Sequence, residues 1–214
     1  MTNSIKKINI IFDFDGVIIN SHKIKTMAFY NIFKIHGEHI AQRAKKFHLE
    51  NTGRSRYFKF RYIIKNIIKS KISKNQIKIL DKEFDNYIEK KIKKLKPSQY
   101  LLKFLKNNQK KYNFFISTGT PQNKICKILT EKKILKFFNN IYGSPSLKIE
   151  HIQKIQKNNK KTIFIGDSFE DFKASKFTNT NFILKINSEN INLRRKYNLN
   201  TINSFKYLEK KINF

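Results

Sequence analysis

The chain has 214 residues, 39% of them hydrophobic, so it can form one large domain or a core domain that carries an insert. Its net charge of +31 comes from 46 basic and 15 acidic residues. Of the basic residues, 40 are lysines spread along the sequence without a recognisable motif, which argues against a specific nucleic-acid partner. With one cysteine, no signal peptide and no apolar run of about 18 residues, the sequence predicts a cytoplasmic protein without a disulfide or a membrane partner.

The first predicted element is a strand over 8–13, which is followed by a long helical region. The strand is apolar almost throughout, as expected of a strand buried on both faces of a parallel sheet. About 95 residues then precede the next strand, far more than a simple crossover needs. We therefore predict an inserted α-helical cap over 20–95, with Pro97 marking the return to the core. Its helices are predicted at 21–36, 38–50, 55–70 and 74–94.

Strands and helices alternate along the rest of the chain. Short apolar runs predict strands at 112–118, 139–143, 161–166 and 181–186. Helical patterns fill the intervals at 98–108, 123–138, 149–159 and 170–177. This alternation predicts a doubly wound α/β core with a parallel sheet, formed by 1–19 and 96–214.

Polar side chains follow four of the predicted strands. In open α/β sheets, ligands bind at the carboxyl ends of the strands, so these side chains are candidates for one site. Carboxylates are suitable ligands for Mg²⁺, while a lysine, hydroxyls and the N–H groups at a helix start can hold a phosphate. The candidates are Asp13 and Asp15, the segment "STGT" over 117–120, Lys148, and Asp167 with Asp171.

In this order and spacing, "DFDGV", "STGT", Lys148 and "GDSFED" resemble the four motifs of the haloacid dehalogenase superfamily of phosphatases. The resemblance covers nearly the whole chain, including a helical cap inserted after the first motif. It implies Mg²⁺-dependent hydrolysis of a small phosphomonoester, such as a sugar phosphate or phosphoglycolate, through an aspartyl-phosphate. The second acid, Asp15, argues for phosphate chemistry over dehalogenation, which lacks that residue in this superfamily.

The resemblance also implies a role for each carboxylate. Asp13 is expected to be the nucleophile and Asp15 the general acid and base, with the backbone carbonyl of Asp15 on the metal. Asp13 and Asp167 are expected to be side-chain ligands of the metal. Asp171 is expected to be either a ligand or an outer partner of that site.

The same resemblance identifies groups for the phosphoryl oxygens. Thr118 is expected to bind them, with Ser117 as the alternative, and Gly119, which follows Thr118, is expected to contact the substrate. Lys148 is expected to balance the carboxylate charge, since it follows "GSP", one placement of the family lysine. The "KP" placement is absent. The five histidines have no ligand spacing, so we expect structural roles for them.

One segment of the cap carries a further signal. Gly53 to Arg56 reads G-x-S-R and resembles the substrate-specificity loop of β-phosphoglucomutase and related phosphatases. The resemblance implies that Ser55 and Arg56 contact the distal part of the substrate, with Arg54 as a weaker candidate. Lys25 stands where the mutases carry a histidine, so we predict a phosphatase rather than a phosphosugar mutase, the nearest alternative.

Two readings from other classes compete with an enzyme: a basic nucleic-acid-binding protein and a non-catalytic scaffold. The complete carboxylate set argues against a scaffold, and the missing nucleic-acid motif argues against the other reading. The expected partner is a small phosphorylated metabolite. The sequence does not distinguish a monomer from a homodimer, and it does not identify the substrate.

Overall fold

The computed structural model describes residues 7–157 and 161–212. The chain divides into two compact units, here called the core and the cap. The core consists of Met1–Ile19 and Pro97–Phe214, and the cap consists of Asn20–Lys96. The second boundary lies one residue after the position predicted from the sequence. Within the described residues, no helix combines the length and the apolarity needed to cross a membrane.

The core contains a six-stranded parallel sheet, as predicted for a doubly wound α/β fold. Its order is β3-β2-β1-β4-β5-β6. The strands are β1 Ile8–Phe12, β2 Tyr112–Pro121, β3 Asn140–Ser144, β4 Thr162–Gly166, β5 Asn181–Lys185 and β6 Thr201–Ile202. After β1 the chain adds β2 and β3 on one side of that strand, and it then adds β4, β5 and β6 on the other side. The carboxyl ends of β1 and β4 therefore flank the switch point at which such sheets bind ligands.

The observed helices can be compared with those predicted from the sequence. In chain order they are α1 His22–Phe33, α2 Glu38–Glu50, α3 Arg56–Tyr62, α4 Lys74–Lys94, α5 Gln99–Asn108, α6 Gln122–Glu131, α7 Lys148–Gln156, α8 Phe169–Phe177, α9 Ile191–Tyr197 and α10 Leu208–Ile212. The helix predicted over 123–138 ends earlier, because the chain adopts a left-handed conformation at Lys133. The final two residues of the helix predicted over 149–159 lie outside the described residues.

The cap is held together by an aromatic cluster. The Phe29 ring lies 5.5 Å from that of Phe60 and 5.2 Å from that of Phe84, and all three side chains are fully or almost fully buried. Their helices are α1, α3 and α4, so the cluster joins three of the four cap helices. The helix predicted over 55–70 is α3 followed by a π-helical segment, Ile63–Ile68, which ends at Lys69 in a left-handed conformation.

Candidate active site

The first part of the site is the end of β1. Asp13 is 3% exposed, and its backbone N–H donates to the Ile165 carbonyl at 2.9 Å, so the parallel ladder fixes this carboxylate beside β4. The chain then turns at Gly16, whose φ of +79° favours glycine. The Gly16 N–H donates to the Ile19 carbonyl at 2.7 Å and closes the turn. Asp15, half-buried within this turn, lies two residues beyond Asp13.

A buried lysine joins two of the carboxylates. Lys148 is the first residue of α7, and its Nζ donates to Asp13 Oδ2 at 2.8 Å and also to Asp171 Oδ1. Burial alone would lower the pKa of Lys148, but Asp13 and Asp171 outweigh that effect and raise the pKa above its usual value. The lysine therefore stays a cation between two buried carboxylates.

Three buried carboxylates form a candidate metal centre. Asp13, Asp167 and Asp171 each offer an oxygen, and these oxygens lie within 4.8 Å of one another. Burial raises the pKa of Asp13; Lys148 opposes the rise, while Asp171 and Asp167 add to it. A divalent cation would relieve this crowding, and an all-oxygen donor set of this kind suits Mg²⁺. The residues present therefore fit the metal that the sequence resemblance implies.

The position of Asp171 is set by its own helix. Its Oδ2 accepts from the backbone N–H of Ser168 at 3.0 Å and from Ser168 Oγ at 2.6 Å, while Ser168 Oγ accepts from the Asp171 N–H. This capping box starts α8 and fixes the carboxylate. The residue before Asp167 must be glycine, because a Cβ at Gly166 would collide with the Asp171 side chain. Since both oxygens of Asp171 already accept hydrogen bonds, direct metal ligation by Asp171 stays a prediction.

The end of β2 supplies the hydroxyl groups of the site. Thr120 Oγ1 donates to Asp15 Oδ2 at 3.0 Å, which orients the proposed acid and base. Thr118 is buried, and its Oγ1 accepts from the Thr120 N–H at 3.2 Å. Ser117, the alternative phosphate ligand, has its Oγ 2.9 Å from Nδ1 of His151. Both hydroxyls thus have partners within the protein, and phosphate binding by Thr118 rather than Ser117 stays a prediction. Gly119 lies beside Thr118 on the same strand end.

Two asparagines that the sequence analysis missed hold Asp167. Asn187 Nδ2 donates to Asp167 Oδ2 at 3.2 Å. Asn190 Nδ2 donates to the Asp167 backbone carbonyl at 2.9 Å and to the Lys185 carbonyl at 3.0 Å. Both residues follow β5, the strand next to β4. Asparagine is common in this chain and neither residue belongs to a motif, so only the fold identifies them.

Replacing Asn187 with Ala should weaken metal binding, because Asp167 would lose the donor that orients its carboxylate. Loss of a residue that hydrogen-bonds a metal ligand lowers the metal affinity by about 10- to 100-fold, and we expect a decrease of about tenfold here. Isothermal titration calorimetry with Mg²⁺ measures the change in the dissociation constant. The exposed Asn181 at the opposite end of β5 supplies the control, since Asn181→Ala should leave the affinity unaltered. Equal Mg²⁺ affinities in the wild type, Asn187→Ala and Asn181→Ala would show that Asn187 does not support metal binding.

His151 is buried on α7 with its ring stacked 5.5 Å from that of Tyr142. Burial lowers the pKa of His151 to about 4, with help from the charges of Lys148 and Lys154. A neutral His151 can hold the Ser117 hydroxyl in place. His151 thus contacts a hydroxyl at the carboxyl end of β2, and a structural role for it stays a prediction.

The depressed pKa of His151 predicts a loss of stability in mild acid. In the unfolded chain the ring takes up a proton below its usual value of 6.5, but in the folded chain it does so only near 4. The contribution of His151 to the free energy of unfolding is thus complete above pH 6.5 and falls as the pH decreases toward 4, by about 2 kcal/mol between pH 7 and pH 5. Urea unfolding at both pH values measures this, and His151→Gln should lose less stability over the same interval. An identical pH dependence in the variant would show that His151 titrates normally.

The structure gives the cap residues of the predicted specificity loop internal partners. Ser55 is the N-cap of α3, where its Oγ accepts from the Phe58 N–H at 3.3 Å. Arg56 is buried, with Nε 2.7 Å from Asp81 Oδ1 and Nη1 2.6 Å from Asp85 Oδ1, so it fastens α3 to α4. Its Nη2 has no hydrogen-bond partner among the described residues. Substrate binding by Ser55 and Arg56 stays a prediction.

Comparisons with solved structures agree with the fold. β-Phosphoglucomutase from Clostridium difficile is 21% identical, with a TM-score of 0.76, covering 97% of this chain and 98% of that one. A predicted phosphoglycolate phosphatase from Haemophilus somnus 129pt is 15% identical, with a TM-score of 0.74 and coverage of 96% and 97%. A predicted phosphatase from Clostridium acetobutylicum is 18% identical, with a TM-score of 0.73 and coverage of 97% and 99%.

At these identities the structural likeness establishes the fold alone. No curated protein matches the sequence. The family comparison is more informative. The model of the haloacid dehalogenase-like hydrolases matches residues 10–185, a range that includes the four motif positions Asp13, Thr118, Lys148 and Asp167. The chain therefore belongs to the haloacid dehalogenase-like hydrolase family.

Proposed function

We propose that the protein is a Mg²⁺-dependent phosphatase that hydrolyses a small phosphomonoester through an aspartyl-phosphate. The observation that carries this proposal is the buried cluster in which Lys148 Nζ contacts both Asp13 and Asp171 while Asp167 lies close to them. The residues proposed as nucleophile, cation and metal ligands thus lie together at the switch point of the sheet. A sugar phosphate or a phosphoglycolate-like acid is the proposed substrate class.

In the first step, an Asp13 carboxylate oxygen attacks phosphorus, and the bond from phosphorus to the ester oxygen breaks. Asp15, protonated, gives its proton to that leaving oxygen, and the alcohol departs. The hydrogen bond from Thr120 at 3.0 Å supports this role, because it orients the Asp15 carboxyl group. Thr118 and Lys148 would stabilise the negative charge on the transferring oxygens.

In the second step, Asp15 is a carboxylate and removes a proton from water. The water oxygen attacks phosphorus, the bond between phosphorus and the Asp13 oxygen breaks, and inorganic phosphate leaves with Asp13 restored. When bound, Mg²⁺ would neutralise charge on the phosphoryl oxygens. The residues proposed to hold it are Asp13 and Asp167 by their side chains and Asp15 by its carbonyl, with Asp171 as a ligand or an outer partner.

Lys25 supports hydrolysis over phosphosugar isomerisation. The related mutases carry a histidine at this position, and this chain has a lysine. Incubation with glucose 1-phosphate and a bisphosphate primer separates the two activities. A phosphatase releases inorganic phosphate faster than it forms glucose 6-phosphate, whereas faster isomer formation would establish the mutase alternative.

A screen of phosphorylated metabolites tests the proposal as a whole. Phosphate release from sugar phosphates, phosphoglycolate and p-nitrophenyl phosphate should require Mg²⁺ and disappear on exhaustive chelation. The Asp13→Asn protein, prepared identically, controls for contaminating phosphatases. Activity that is equal in the two proteins, or unaffected by chelation, would contradict the proposal.

A further inference from the structure

The core contains a cavity of about 370 Å³ that is separate from the candidate active site. All of its described lining residues lie after position 185, where the match to the family model ends. None of them is among the residues proposed for catalysis or metal binding. They are Ile186, Arg194, Thr201, Ile202, Asn203, Tyr207 and Lys211. The cavity is therefore formed by a part of the chain whose role the family match does not explain.

Strand pairing holds the backbone on one side of this cavity. The Ile186 N–H donates to the Ile202 carbonyl at 2.9 Å, which extends the parallel ladder of β5 and β6 by one step. Lys185 Nζ donates to the Asn203 carbonyl at 2.9 Å and so holds the chain that follows β6. The cavity thus borders the carboxyl ends of β5 and β6, and the carboxyl ends of parallel strands are where ligands bind in such sheets.

Two cations line the cavity. Arg194 belongs to α9 and Lys211 to α10, so the fold rather than the local sequence brings them to one place. Both side chains are exposed, and within 7–157 and 161–212 neither has an ion pair or a side-chain hydrogen bond. None of the described lining residues is acidic. Since guanidinium and ammonium groups can only donate, this lining favours a ligand with an anionic acceptor.

The remaining lining residues are apolar in the interior and polar near the solvent. Ile202 is 3% exposed and Ile186 is half-buried, whereas Tyr207 is 45% exposed. Thr201 and Asn203 add a hydroxyl and an amide, and neither side chain has a hydrogen-bond partner in the described part of the chain. A volume of about 370 Å³ is near the lower end of the range of about 300–1,000 Å³ for ligand pockets, so it suits a small molecule.

We propose that this cavity binds a small organic anion, which carries an oxyanion group such as a carboxylate on an apolar body. The oxyanion would accept charge-assisted hydrogen bonds from Arg194 and Lys211. The apolar body would contact the two isoleucines and the Tyr207 ring, and an aromatic body could stack on that ring. This proposal goes beyond the phosphatase function and does not rest on it, because no proposed catalytic residue lines the cavity.

Three small probes separate the anionic part of such a ligand from its apolar part. Phenylacetate has both, phenylacetamide has the same body with a neutral group, and acetate has the anion alone. Amide chemical shifts of the ¹⁵N-labelled full-length protein, titrated with each probe, give the dissociation constants. We expect saturable shifts around Arg194, Asn203 and Lys211 with phenylacetate. Its dissociation constant should be at least about tenfold lower than that of either other probe.

Matched variants test the two cations. Arg194→Met and Lys211→Met should each raise the dissociation constant of phenylacetate by about tenfold, because each removes one charged donor. The controls are Arg195→Met and Lys210→Met, which remove the exposed charge next in sequence but outside the lining. These controls change the net charge equally and should bind phenylacetate like the wild type.

Several results would overturn the proposal. One is the absence of saturable shifts at the cavity, and another is an affinity for phenylacetamide or acetate equal to that for phenylacetate. The same affinity in Arg194→Met and Lys211→Met as in their controls would also do so. Shifts confined to the surroundings of Asp13 would place the probe in the candidate active site instead. The titrations require no turnover, so they decide this proposal even if Asp13→Asn proves as active as the wild type and the phosphatase proposal fails.

Discussion

Asp13→Asn should reduce kcat at least about 10³-fold with every phosphomonoester that the protein accepts, because an amide cannot replace the attacking carboxylate. The substitution preserves shape, and Lys148 keeps Asp171 as a partner, so the fold should persist. Phosphate release under saturating substrate and Mg²⁺ measures kcat, and a thermal melt confirms folding. Retention of more than a few per cent of wild-type kcat by a folded variant would exclude Asp13 as the nucleophile.

Lys148→Met should have the second-largest effect. It removes the cation between Asp13 and Asp171 while keeping the length of the side chain. Loss of one preorganised charged group that stabilises the transition state costs about 10²–10³-fold in kcat. Removing one partner of a buried ion pair also destabilises the fold by about 3–5 kcal/mol. Mg²⁺ should restore part of that loss, since we propose that it binds the same group of carboxylates.

The control for this variant lies on the same helix. Lys154 is exposed on α7, so Lys154→Met makes the same chemical change six residues, or about 1.7 turns, away. It should alter neither kcat nor unfolding in urea. Lys148→Met activity within about tenfold of wild type, or an unfolding free energy that Mg²⁺ leaves unchanged, would contradict the role given to Lys148.

The strand-end residues could be predicted because their positions follow from local sequence and sheet geometry together. An apolar run that ends in Asp13 predicts a buried strand with a carboxylate at its end, and the same holds for the run before Asp167. Parallel strands place such ends at one edge of the sheet. The pairing of β1 with β4, from Asn9 and Thr162 onward, then brings the two aspartates together.

Other features could not be predicted, because they depend on contacts between distant segments whose residues carry no pattern of their own. Arg56 lies in a motif-like segment, yet its partners Asp81 and Asp85 are on α4, and no local signal couples the two helices. Asn187 contacts Asp167 across 20 residues of chain. The strand β6 has only two residues, too few for a periodicity to be recognised.

The central claim is that Asp13 carries the phosphoryl group between two chemical steps, and Asp15→Asn can trap that state. p-Nitrophenolate leaves without an acid catalyst, so the first step should proceed in this variant, while the second lacks the base that activates water. We predict a burst of p-nitrophenolate that approaches one equivalent of enzyme, followed by slow turnover. Mass spectrometry after an acid quench should find one phosphoryl group on the peptide that contains Asp13, and Asp13→Asn combined with Asp15→Asn should give neither signal. Full turnover without a burst, or a phosphoryl group on another residue, would contradict the account.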